Sequence, residues 1–128
     1  LAAIQNYAGE ASQKLRMIEL CQFDTDKDDT DIIQQSIETQ NYQQAGCLAS
    51  IYLKVYQEML NVSVPLDWLD IHKQILTMFW DFYKVYQYIP EYGNDPLKGI
   101  IVLEKFEQVN EKFVNLLEKM KADLISRQ

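Results

Sequence analysis

Four stretches of this chain return an apolar residue at alternating intervals of three and four positions, a period that belongs to helices. In the first, Leu1, Ile4, Ala8, Ala11, Leu15 and Ile18 fall on one line. The second runs through Ala45, Leu48, Tyr52, Val55, Met59 and Val62, with Ile33 and Ile37 upstream. The third carries Trp68, His72, Ile75, Phe79, Phe82, Tyr86 and Ile89, and the fourth Val102, Phe106, Val109, Phe113, Leu116 and Met120. Each seam marks one face to be buried, as in helices packed side by side.

Turn chemistry separates the four. An acidic stretch occupies 24–31, "VSVP" lies at 62–65 and "IPEYGNDP" at 89–96. Asp95 before Pro96 reads as an N-cap with proline at the first helical position. The fold class predicted is all-α: a single-domain, antiparallel up-down-up-down four-helix bundle with helices near 1–22, 30–62, 66–89 and 96–126. These helices would measure roughly 33, 50, 36 and 46 Å. One stretch fits poorly, "ETQNYQQAG" at 38–46: it is polar, and Gly46 costs about 1 kcal/mol in a helix interior relative to alanine. A kink, loose packing against Ala8 and Ala11, or a polar groove lined by Gln40, Asn41 and Gln44 would each account for it.

The 128 residues suffice for one domain with a core, and 48% hydrophobic against 24% charged residues argues against disorder. No apolar run approaches the 18 or more residues of a membrane span, the longest being broken by Asp81, Lys84 and Gln87. The net charge of −7 speaks against nucleic acid and anionic membrane surfaces, which select Lys/Arg patches. Because the chain begins at Leu1, it is expected to be a fragment or processed product with any targeting or anchoring segment upstream.

The acidic stretch "DTDKDDTD" resembles the first half of a calcium loop, with Asp24, Asp26 and Asp28 at the first three ligand positions. The sixth position, which needs glycine for a sharp turn, is Asp29, and the twelfth, which needs a bidentate glutamate, is Gln35. The same residues serve as a capped, acidic first turn of a helix starting near Asp29 or Thr30. The reading is therefore a cap, with Asp24, Asp26 and Asp28 a weak metal candidate.

Other chemistry is sparse. A single histidine, His72, excludes a di-iron carboxylate bundle, which needs two Glu-x-x-His pairs, and a zinc site needs more His or Cys than the chain holds. His72 is expected to hydrogen-bond a neighbour at the core edge. In a straight second helix Cys47 would lie roughly 26 Å along the axis from Cys21, so two free thiols are expected, which points mildly to a reducing compartment. Asn61-Val62-Ser63 fits a glycosylation acceptor, and no phosphate loop or nucleophile elbow is present. No catalytic residue and no cofactor are expected.

The densest feature is aromatic. Phe79, Phe82 and Tyr86 lie on the seam, whereas Trp80, Tyr83 and Tyr88 point further round the helix and form the interaction candidate. His72, Phe79 and Tyr86 form the alternative candidate, a pocket for a small apolar or aromatic ligand between helices.

The second half also carries a resemblance. "VPLDWLDIHKQIL" (64–76), an aromatic helix and "NDPLKGIIVLEKFEQVNEKFVNLLEKM" (94–120) resemble a loose group of uncharacterised bacterial helical-bundle proteins, with Pro65, His72, Asp95 and Pro96 at the matching places. In that group a signal peptide or single membrane anchor precedes a helical ectodomain. The resemblance implies a cell-envelope location, extracytoplasmic or membrane-anchored, with a membrane met only through an unseen upstream anchor. The alternative, a cytoplasmic location, is where the two thiols point. The function expected is that of a non-catalytic interaction or structural domain whose partner is another protein.

Overall fold

The computed structural model describes residues 2–21, 29–39, 41–92 and 95–128. Among these the chain is all-α, with five α-helices and no strand. Helix α1 spans Ala2–Leu15 and tightens into a 3₁₀ segment at Arg16–Cys21. Helix α2 spans Asp29–Thr39 and α3 Gln43–Met59. A 3₁₀ turn at Leu66–Trp68 leads into α4, Leu69–Tyr92, and α5 spans Pro96–Ser126. No helix of the described residues is long and apolar enough to cross a membrane.

The start of α5 follows directly from sequence. Asp95 Oδ1 accepts the Leu97 N–H at 3.0 Å, its carbonyl accepts the Gly99 N–H at 2.9 Å, and proline occupies the first turn. α2 opens at Asp29, where the acidic stretch was read as a cap; Asp24, Asp26 and Asp28 lie outside the described residues.

Two expectations are overturned together. The helix expected over 30–62 is two helices, so there are five rather than four. Where the seam needs apolar side chains, the sequence supplies Gln40, Asn41 and Gln44. Thr39 Oγ1 returns to the Gln35 carbonyl at 2.7 Å, and Asn41 Oδ1 accepts the Gln43 N–H at 3.2 Å, a local turn that starts α3. Cys47 consequently sits in the second turn of a new helix instead of deep within a long one. It is joined to Cys21 in a disulfide with the Cα atoms 5.6 Å apart. Gln44 Nε2 donates to the Cys21 carbonyl at 3.0 Å beside it. The 26 Å separation was a property of a straight helix that the chain does not form.

A large part of the core lies along α4, which packs against α3 on one side and α5 on the other. Tyr52 of α3 stacks on Phe82 (5.1 Å between centroids) and Tyr86 (5.6 Å) of α4, and both of those rings also meet Phe106 of α5, at 5.9 and 6.3 Å. On another side α2 crosses α5 at Gly99, where an added Cβ would come within 3.2 Å of Ile37 Cγ2. The close approach explains a glycine in the first turn of a helix.

Gly46 has no such reason: nothing lies within 4 Å of a Cβ built there. Gly46→Ala is expected to stabilise the protein by about 0.5–1 kcal/mol, read as a higher urea midpoint. The disulfide closes a loop of sequence separation 26, worth roughly 3–4 kcal/mol in the loop-entropy account. Reduction, or Cys47→Ser, is expected to lower the melting temperature by about 10 °C in calorimetry.

Candidate functional site

The third seam of the sequence is α4, and its residues divide between an interior and a surface. Phe79, Phe82, Val85, Tyr86 and Ile89 are buried. Phe79 and Tyr86, two of the three pocket candidates, share Tyr52 as a neighbour, with Phe79 6.3 Å from its ring. The rings fill this part of the core.

His72, the third, is placed elsewhere. It is buried beside α1, where its Nδ1 and the Tyr7 hydroxyl share a hydrogen bond at 2.8 Å. Tyr7 also meets Trp68 edge-on, with the centroids 5.8 Å apart. Trp68 Nε1 donates to Asp123 Oδ2 at 2.6 Å, Arg127 Nε donates to the same oxygen at 2.8 Å, and Arg127 Nη1 reaches Asp67 Oδ2 at 3.2 Å. A buried indole, an imidazole and a phenol thus tie α1, the 3₁₀ turn and α4 to the end of α5. Burial pushes the His72 pKa below its ordinary value of 6.5 and the Tyr7 hydroxyl well above its own. The hydrogen bonds from Arg127 and Trp68 hold the Asp123 carboxyl below its usual range.

Of the three pocket candidates, Phe79 borders a cleft. This is a narrow apolar slot of about 90 Å³, lined by Ala8, Ala11, Ile75 and Phe79 and by Phe113 and Leu117 of α5, among others. The small α1 residues leave it partly unfilled. A polar cleft of about 210 Å³ lies between α2 and α3, at the stretch for which a polar groove was one of the alternatives. Asn41 and Gln44 line it with Gln35, Ser36, Thr39 and Gln43; Gln40 lies outside the described residues.

The interaction candidates come together on the surface. Trp80 is 39% and Tyr88 36% exposed, and Tyr83 is half-buried. The Trp80 ring lies 5.3 Å from Tyr83 and 5.4 Å from Tyr56 of α3. Lys84 links the set, its Nζ 5.0 Å from the Trp80 centroid and 5.8 Å from those of Tyr83 and Tyr88. A cleft of about 230 Å³ opens beside it, lined by Tyr56, Leu76, Thr77 and Trp80. Sequence reasoning missed Tyr56 and Lys84. Lys84 was legible, being four residues from both Trp80 and Tyr88. Tyr56 was not, because the α3–α4 pairing had to be known first.

Such a surface can take up apolar or cationic groups and the flat faces of other rings, with Lys84 offering a partly desolvated positive charge. Among the described residues, no three His, Cys, Asp or Glu side chains are placed to hold a metal ion. No protein-family profile matches the chain, and no curated protein or solved structure matches it.

The burial of His72 sets a pH dependence. A histidine whose folded pKa lies below its unfolded one stabilises the fold while neutral. That contribution is complete above about pH 7 and declines as pH falls through 6.5 toward the folded pKa. The urea midpoint is expected to drop between pH 7.5 and 5.5, and to stay nearly flat over that window in His72→Gln. An equal drop in the variant would assign the effect elsewhere; Asp123, with its lowered pKa, responds only in more acidic solution.

Proposed function

We propose that the chain is a non-catalytic helical interaction domain that presents the Trp80–Tyr83–Tyr88 face of α4 to another protein. In this reading α1, α3, α4 and α5 form an antiparallel up-down-up-down scaffold, and α2 covers part of one end. The observation that carries the proposal is an exposed tryptophan held in a set posture by two tyrosines and a lysine. Ring packing of this kind lowers the entropy lost on binding, and Trp and Tyr are the residues that anchor protein interfaces.

The Cys21–Cys47 disulfide supports an extracytoplasmic location, since such bonds persist in oxidising compartments. It removes the free thiols that had pointed to the cytoplasm.

A small ligand held near His72, Phe79 and Tyr86 has less support. The slot beside Phe79 offers about 90 Å³, against roughly 300–1,000 Å³ for typical ligand sites.

The test is a crosslinking pull-down from native cells with wild type beside Trp80→Ala/Tyr83→Ala. Specific capture of a partner, reduced at least tenfold in the variant with helical circular dichroism retained, is the expected outcome. Undiminished capture would remove the aromatic face from the interaction. Should the double variant lose its helical signal, Trp80→Ala alone decides, because that ring is partly exposed and Tyr83 keeps its place.

A further inference from the structure

Two clefts open between α4 and α5, of about 300 and 290 Å³. They lie in line. Their α4 edge is formed by Gln74, Thr77, Asp81, Lys84 and Tyr88, spaced 3-4-3-4 and therefore on one helical face. Their α5 edge carries Ile101, Lys105, Lys112 and Lys119, also on one face. The floor repeats every seven residues on both helices: Met78 and Val85 on α4, and Val102, Val109 and Leu116 on α5. Taken end to end, the two clefts line α5 over about 27 Å at 1.5 Å per residue, as an interrupted groove.

The lysines of this groove differ from those of an ordinary solvated face. Helical lysines commonly have an acid three or four residues away. The residues at those distances from Lys105 and Lys112 are Ile101, Val102, Gln108, Val109, Asn115 and Leu116, none of them acidic. Lys119 has Asp123, but that carboxylate is taken by Trp68 and Arg127. Among the described residues no ion pair is made by Lys105, Lys112 or Lys119, all three of which are exposed. Glu104, Glu111 and Glu118 keep the same interval but are turned about 100° round the helix. Across the groove the α4 edge holds one carboxylate, Asp81, and a further lysine, Lys84. In a chain of net charge −7, the lining of these clefts thus holds four lysines and one carboxylate over an apolar floor.

We infer that the α4–α5 groove seats an acidic amphipathic helix of another protein. The partner's apolar stripe lies over Val85, Val102 and Ile101, and its Asp or Glu residues, repeated every seven positions, face Lys105, Lys112 and Lys119. The interval selects a helix: charged flanks at seven-residue spacing beside an apolar seam are how helices choose partners in bundles and coiled coils. Lysines about 10.5 Å apart exceed the reach of one small anion, and the net negative charge of the chain opposes an anionic bilayer. The proposal goes beyond the aromatic face: Lys84 and Tyr88 border both surfaces, but Trp80 and Tyr83 do not line the groove.

The probe is a labelled peptide of three heptads, with Leu at the first and fourth positions and Glu at the fifth and seventh, beside the same peptide with Lys for every Glu. Fluorescence anisotropy is expected to show saturable, salt-sensitive binding of the Glu peptide only. Lys105→Glu/Lys112→Glu/Lys119→Glu is expected to weaken it roughly tenfold or more. These side chains are exposed, so the variant keeps its helical signal. Equal binding of both peptides, or by both proteins, overturns the inference. So does loss of peptide binding in Trp80→Ala/Tyr83→Ala, which would place the peptide on the aromatic face. Sedimentation showing self-association that the triple variant abolishes would make a second copy the occupant. Lysine-dependent binding to phosphatidylglycerol vesicles without peptide binding would make it a membrane. Either result overturns the inference.

Discussion

Tyr52 of α3 lies against Phe82 and Tyr86 of α4, and the same two rings meet Phe106 of α5, so four aromatic side chains set the spacing of three helices. Large rings are poor at collapsing into a smaller space, and a shift of any one helix would open voids along the other two. With the interior of α4 committed in this way, its remaining circumference is left to the surface. Trp80 and Tyr83 then occupy one exposed flank and the edge toward α5 the other, with Lys84 between them. Both surfaces considered above are consequences of one helix having neighbours on only part of its perimeter.

The far end of the molecule is held by a different chemistry. Trp68 is fully buried, yet its indole N–H reaches a carboxylate that Arg127 keeps charged. A buried donor of this kind is costly without an acceptor, so the end of α5 is positioned by polar geometry as much as by apolar contact. Tyr7 and His72 extend the arrangement into α1, whose small residues otherwise pack loosely along the slot beside Phe113 and Leu117.

The later elements were the legible ones. The 3-4 spacing through Phe79, Phe82, Tyr86 and Ile89, and the Asp95-Pro96 cap, give α4 and α5 nearly their observed extents because the interactions that set them are local. The break after Thr39 was visible only as a poor fit. Ile33 and Ile37 on one side and Ala45 and Leu48 on the other each keep helical spacing, and what separates them is a turn made by Asn41. Placing Cys47 one helix too deep followed from that single omission, and so did the expectation of free thiols. The exposed aromatics were legible as a group, since a helix wheel needs no tertiary information. The lysine-edged groove was not, because net charge sums over the surface and conceals where the basic residues collect.

The disulfide has a consequence for how the chain holds together once cut. Helix α2 and the turn at Asn41 lie wholly within the segment that Cys21 and Cys47 enclose. A single nick anywhere between the two cysteines leaves α1 covalently attached to α3, and through it to the rest of the chain. Under oxidising conditions the two pieces migrate as one molecule, and they separate only on reduction.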